Sequence, residues 1–191
     1  MKIAIIGADH KDSMEFHFMD AFINACHEVE IFDIYNSFLY TQKCLKSYFQ
    51  SLDKIRRTYS DNYDQKRFLA LARKVNRFDP DLVICFYKDI HPVFVDNVKK
   101  AHRKVIHVNP DAMTTLGYQQ IFASNYDAWF SKDPYMTSCM KRNMHLNVFL
   151  YREAFNQRYN PKPDVGKKEM EKNVNIDVMT LSLIHISEPT R

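Results

Sequence analysis

Glycine is scarce in this chain, with only 3 among 191 residues. A dinucleotide-binding loop needs three closely spaced glycines, and the segment after the first apolar run offers Gly7 alone. No Walker-type phosphate loop occurs in the sequence either. The scarcity of glycine therefore argues against binding of NAD, FAD or a nucleoside triphosphate through a glycine-rich loop.

Long apolar runs are also missing. No stretch approaches the roughly 20 apolar residues that a membrane span requires. The apolar start of the chain, residues 1–7, is too short for a signal peptide, and Asp9 and Asp12 follow at once. We therefore expect a cytoplasmic protein.

Metal and redox motifs are absent as well. None of the 4 cysteines forms a C-x-x-C pair, and the histidines show no spacing typical of zinc ligands. We expect no bound metal and no cofactor. Cys26 and Cys85 lie in apolar segments, so we expect both to be buried thiols.

Charge is distributed unevenly along the chain. Residues 42–77 carry 10 basic side chains against 3 acidic ones. Three interpretations remain open for this basic segment: a solvated surface, a contact with an anionic membrane, or a nucleic-acid interface. No nucleic-acid motif accompanies it, so we expect no nucleic-acid partner. A membrane contact would place the protein at the inner face of the membrane.

Short apolar runs alternate with helical patterns over most of the sequence. This alternation predicts an α/β fold with a Rossmann-like, doubly wound parallel sheet. The predicted strands are Lys2–Ile6, Val29–Ile34, Leu82–Phe86, Lys104–Val108, Ala128–Phe130 and Asn147–Leu150.

The helices between these strands have recognisable start signals. Ser13 is suited to cap a helix whose apolar side would comprise Phe16, Met19, Phe22, Ile23 and Cys26. The segment 42–78 predicts two helices with basic outer faces, separated near Asp61. Pro92 and Pro134 each open a further helix, the second capped by Asp133. A short helix is also expected near Thr114–Phe122.

The composition changes after the sixth predicted strand. Residues 1–155 read as one Rossmann-like domain, and the polar, proline-containing segment 156–174 reads as a linker. Residues 175–180 look like the first strand of a second domain. Residues 181–191 resemble the translation of a widely used sequencing adapter, so we expect a non-native tail that interrupts a longer gene.

Ligands of doubly wound sheets bind beyond the carboxyl ends of the strands. Candidate binding residues at those positions are Gly7, Asp9, His10, Tyr87, Lys88, Asn109 and Asp111. His10 is a candidate general base because an imidazole titrates near neutrality, and Asp111 is a candidate for orienting or deprotonating a hydroxyl. Structural interpretations compete with these roles: His10 as an exposed loop residue, and Asn109–Asp111 as a turn that caps a helix.

Several segments together resemble the CgeB-like, spore-maturation-type glycosyltransferases. The segments that carry the resemblance are Lys2–Gly7, His27–Asp33, Asp79–Ile84, Asn109–Asp111, Phe130–Tyr135 and Asn175–Val178. The resemblance covers about residues 1–180, and it depends on the order and spacing of these segments more than on any single motif.

This resemblance implies a GT-B arrangement, in which two Rossmann-like domains face a cleft. The N-terminal domain would hold a glycan or lipid-linked acceptor, and the missing C-terminal domain would hold most of the nucleotide-sugar donor. The Gly7 loop and the Asn109–Asp111 turn then take acceptor-side roles. No metal is implied for the donor phosphates, and the chain alone is expected to be inactive.

A second interpretation is a complete flavodoxin-like or receiver-like binding module without catalysis. Asp9, Asp12 and Asp89 would supply the acids that a receiver needs after its first and third strands. The long basic insertion between the second and third strands argues against a receiver, which keeps that crossover short.

Overall fold

The computed structural model describes residues 1–35, 43–109 and 120–152. The chain divides into two units, Met1–Ala154 and Phe155–Arg191, and the second lies outside the described residues. The predicted linker, second-domain strand and non-native tail therefore also lie outside them.

Six strands form one sheet in the order β2-β1-β3-β4-β5-β6, and every neighbouring pair is parallel. The strands are β1 (Lys2–Ile6), β2 (Glu28–Phe32), β3 (Leu82–Cys85), β4 (Lys104–Asn109), β5 (Ala128–Ser131) and β6 (Val148–Leu150). The predicted Rossmann-like α/β fold is confirmed. The strand order reverses at β1, which lies between β2 and β3, so this is the point where such sheets form a ligand crevice.

The helices of the described residues are α1 (Met14–Asn24), α2 (Lys43–Tyr59), α3 (Asp61–Phe78), α4 (Pro92–Lys99), α5 (Pro134–Met144) and a 3-10 turn at Gln120–Ala123. Short polar side chains cap α1, α3 and α5, and His91 caps α4. Ser13 Oγ accepts from the Phe16 N–H, and Asp133 accepts from the Tyr135 N–H at 2.8 Å, as their sequence positions predict. Ser60 separates α2 from α3 and caps α3, one residue before the predicted break.

The sheet has an apolar layer on each face. On one side, α1 covers a cluster centred on Ile3, Ile5 and Ile84. On the other side, Phe68 of α3 and Phe94 of α4 lie in a cluster with Trp129 of β5. Parallel strands with both faces covered read as continuous apolar runs, which explains why the strands were visible in the sequence.

The packed side of α1 differs from the predicted one. Met14, Phe18, Met19 and Phe22 pack on the sheet, whereas Ile23 is 50% exposed. Cys26 is exposed, so the prediction that it is buried was wrong, while the buried position predicted for Cys85 is confirmed. The reason is that α1 ends at Asn24, and Cys26 adopts a left-handed φ of 61° in the turn that leads to β2.

Candidate functional site at the carboxyl edge of the sheet

The loop after β1 is built around a buried carboxylate. Glu15, in the first turn of α1, folds back so that its Oε1 accepts from the Ala8 N–H at 3.1 Å. Ser13 Oγ donates to the Ala8 carbonyl at 2.9 Å and closes the same loop. A Cβ placed on Gly7 would overlap the Glu15 side chain. Gly7 is therefore needed to make room for Glu15.

This arrangement changes what the loop can bind. The N-terminus of a helix after the first strand of such a sheet commonly binds a phosphate through free backbone N–H groups. Here Glu15 is only 8% exposed, and its carboxylate already accepts from the Ala8 N–H of the loop, while Ser13 Oγ accepts from the Phe16 N–H of the helix. A phosphate brought to the loop would meet a carboxylate at close range, so the loop does not form a phosphate cradle.

The variant Gly7→Ala tests this packing. We expect it to lower the free energy of unfolding by about 1–3 kcal/mol, because the added methyl group must displace Glu15. Urea denaturation of Gly7→Ala, Glu15→Ala and the double variant measures the coupling between the two positions. Gly7→Ala should cost much less in the Glu15→Ala background, and an equal cost in both backgrounds would contradict the contact.

The ends of β2 and β3 are joined by tyrosine–carboxylate hydrogen bonds. Asp33, directly after β2, accepts through Oδ1 from the Tyr35 N–H at 2.7 Å and from the Tyr87 hydroxyl at 2.9 Å. The Tyr35 hydroxyl donates to Asp89 Oδ2 at 2.7 Å. Burial, then the nearby carboxylates, raises the pKa of both tyrosines, so both stay protonated as donors. Tyr87 thus points across the end of β1 towards Asp33.

Arg57 of α2 completes this connection. Its Nε donates to Asp64 Oδ1 at 2.5 Å, and its Nη2 donates to Asp89 Oδ2 at 2.8 Å. The guanidinium also lies over the rings of Tyr35 and Phe68. The Arg57 side chain is only 5% exposed, so the prediction that α2 and α3 present their basic residues outwards is wrong for this residue. Burial raises the pKa of Asp64, against the opposing effect of Arg57.

The predicted binding residues occupy different environments. Asp9 and His10 are exposed in the first loop, and Lys88 is half-buried after β3. Asn109 is buried at the end of β4, where its carbonyl accepts from the Tyr151 hydroxyl at 3.0 Å. Asp111 lies outside the described residues, so its predicted role stays a prediction. Strand register brings the Gly7, Tyr87 and Asn109 positions to one edge of the sheet.

The sequence did not predict a role for one buried histidine, which lies beneath the carboxyl edge of the sheet. His107 Nε2 lies 3.3 Å from the Tyr87 carbonyl, and the rings of Tyr126 and Trp129 contact its imidazole. Burial lowers its pKa to about 4, so the ring is neutral near pH 7 and Nε2 carries the proton that the carbonyl accepts. His107 therefore supports the Tyr87 backbone as an uncharged donor. The only sign of this role in the sequence is that His107 lies within an apolar strand.

A groove of about 570 Å³ runs beside the outer edge of β2. Its lining carries both signs of charge: the acids Asp9, Glu30 and Asp33, and the bases Lys74 and Arg77 of α3, together with the Phe78 ring. The size lies in the range of small-molecule sites. Mixed donors and acceptors in a partly apolar lining suit a polyhydroxylated ligand better than a phosphate.

In the described ranges, no cluster of three His, Cys, Asp or Glu side chains could hold a metal ion. No helix among those same residues combines the length and apolar character needed to cross a membrane.

Comparison with protein families, with curated proteins and with solved structures finds no match to this chain.

Proposed function

We propose that this chain is the acceptor-side half of a two-domain GT-B glycosyltransferase. In the full-length protein it would present an acceptor hydroxyl to a nucleotide-sugar held by a second domain. The observation that carries the proposal is the position of Glu15. Because its carboxylate accepts from the Ala8 N–H in the loop after β1, a donor phosphate would meet a negative charge there and is better held by the second domain.

The groove beside β2 supports the acceptor role. Its lining includes Asp9 and Asp33, at the carboxyl edge of the sheet, and it offers both carboxylates and basic side chains. Sugar hydroxyls donate and accept hydrogen bonds, so both kinds of side chain can bind them. His10 stands exposed in the loop that carries Asp9, where a general base for an acceptor hydroxyl would be needed.

The same contacts argue against a receiver-like or flavodoxin-like module. A receiver would need Asp89 open to a cation together with Asp9, but Asp89 accepts from Arg57 and Tyr35. A flavin phosphate would need free N–H groups in the loop after β1, where the Ala8 N–H already donates to Glu15.

The decisive experiment begins with the source gene. Resequencing across codon 180 should show a reading frame that continues into a second Rossmann-like domain. The complete enzyme should then release nucleoside diphosphate from one nucleotide-sugar in a coupled assay, and the 191-residue chain alone should release none. Turnover by the 191-residue chain, or a reading frame that stops at Arg191, would count against the proposal.

Within the complete enzyme, His10→Asn tests the general base. We expect kcat to fall by about a hundredfold or more, since a positioned base contributes on that order. His102→Asn is a matched control, because His102 is also exposed but lies at the turn before β4. Equal activity of the two variants would remove His10 from the mechanism.

A further inference from the structure

The outward side of α2 carries large apolar side chains that remain exposed. Tyr48, Ile55 and Tyr59 are 61%, 53% and 85% exposed. Their spacing of seven and four residues places them on one side of the helix, and the half-buried Leu52 lies between them. Single exposed apolar residues are ordinary on protein surfaces, whereas a row along one helix marks an interaction surface.

The polar neighbours of this row are basic. Lys54 and Arg56 are both exposed. Asp53 is the only acid in α2, and its buried side chain accepts from the Tyr63 hydroxyl at 2.7 Å and pairs with Arg67 at 3.2 Å. No carboxylate of α2 therefore reaches this surface. We call the residues Tyr48, Leu52, Lys54, Ile55, Arg56 and Tyr59 the outer α2 face.

The opposite side of the helix fixes α2 to the domain. Arg57 comes two residues after Ile55, about 200° further round the helix, and it binds Asp64 and Asp89. Gln50 Nε2 donates to the Tyr35 carbonyl at 2.8 Å on the inner side. Because the inner contacts hold the helix in place, the outer α2 face is free to bind something else.

We propose that the outer α2 face docks on the surface of an anionic lipid bilayer. Tyrosine rings and the Ile55 side chain suit the interfacial layer, and Lys54 and Arg56 suit acidic headgroups. A second copy of the chain fits less well, because a twofold contact would bring these cations against their own equivalents. Nucleic acid would stack on the tyrosines but would leave Leu52 and Ile55 without a role.

Vesicle binding of the 191-residue chain tests the charge requirement. Cosedimentation with phosphatidylglycerol vesicles should exceed that with pure phosphatidylcholine vesicles, and high salt should weaken it. Lys54→Gln/Arg56→Gln should lower the partition constant by about fivefold for each charge removed. The control Lys100→Gln/Arg142→Gln removes one exposed lysine and one exposed arginine elsewhere, and it should bind like the unmodified chain.

Fluorescence tests the apolar requirement. Trp129, the only tryptophan, is buried, so Tyr59→Trp adds a reporter on the surface. Its emission should shift to the blue with phosphatidylglycerol vesicles, whereas Ile23→Trp, at an exposed position of α1, should not shift. Tyr48→Ser/Tyr59→Ser should lower the partition constant by about tenfold or more without changing the circular dichroism spectrum.

Several results would overturn the docking proposal. They are equal binding to both vesicle types, no shift at position 59, tighter binding to poly(U) RNA than to vesicles, or a dimer that Tyr59→Ser dissociates. None of these results bears on sugar transfer, so the docking surface and the proposed function can fail separately.

Discussion

Replacing Arg57 by methionine should lower the free energy of unfolding by about 3–5 kcal/mol, as expected when one partner of a buried ion pair is removed. The substitution keeps an unbranched side chain of similar length but leaves Asp64, at 5% side-chain exposure, and Asp89 without their cation. Total stability of a domain is only about 5–15 kcal/mol, so this single change threatens folding at physiological temperature. Urea denaturation followed by circular dichroism measures the loss.

Arg56→Met is the matched control, because Arg56 is the exposed neighbour on the same helix. It should change stability by no more than about 0.5 kcal/mol. Arg57→Met/Asp64→Asn should recover part of the loss, since the second substitution removes one of the unpaired charges. If Arg57→Met and Arg56→Met proved equally mild, the burial of Arg57 would be refuted.

Lowering the pH from 7 to 5 should reduce stability by about 2 kcal/mol through His107 alone. Burial lowers the pKa of His107 from 6.5 to about 4. Between these pH values the unfolded chain binds a proton that the folded chain excludes, so stability falls as the pH falls. The effect begins near pH 6.5, reaches about 3 kcal/mol near pH 4 and levels off below that pH.

His107→Gln isolates this contribution. Glutamine keeps an N–H for the Tyr87 carbonyl but does not titrate. Between pH 7 and pH 5, the free energy of unfolding of the variant should therefore fall by about 2 kcal/mol less than that of the unmodified chain. Unfolding free energies from urea titrations at the two pH values measure this difference. The same pH dependence for His107→Gln and the unmodified chain would show that His107 binds its proton as readily in the folded state as in the unfolded chain.

The fold was predictable because its signals are local. A strand such as Lys2–Ile6 is covered on both faces, so a short apolar run reveals it without knowledge of its partners. Helix starts at Ser13 and Asp133 depend on a side chain and an N–H two or three residues apart. Separations of two or three residues along the chain can be recognised in a short stretch of sequence.

The interior of the site was not predictable for the opposite reason. Arg57 and Asp89 are 32 residues apart in the chain, and only the completed fold brings them to 2.8 Å. Composition shows that the segment around Arg57 is basic, but it does not show which cation turns inwards. The contact between Glu15 and Gly7 likewise depends on a side chain folding back over a loop, which neither helical spacing nor the glycine alone indicates.

The position of β1 in the sheet has a consequence for the order of assembly. β1 leaves the ribosome before β2 and β3, yet it pairs with both, and the crossover from Phe32 to Leu82 must be synthesised before the second pairing can form. Closing so long a connection costs entropy before any contact compensates it, whereas α2 and α3 are neighbours in sequence and can associate early. One edge of β1 therefore stays open in the nascent chain until Cys85 has emerged, a condition that favours capture by other unpaired strands. The loops that carry Gly7 and Tyr87 first meet at that stage, so this part of the cleft cannot form before the whole crossover has been synthesised.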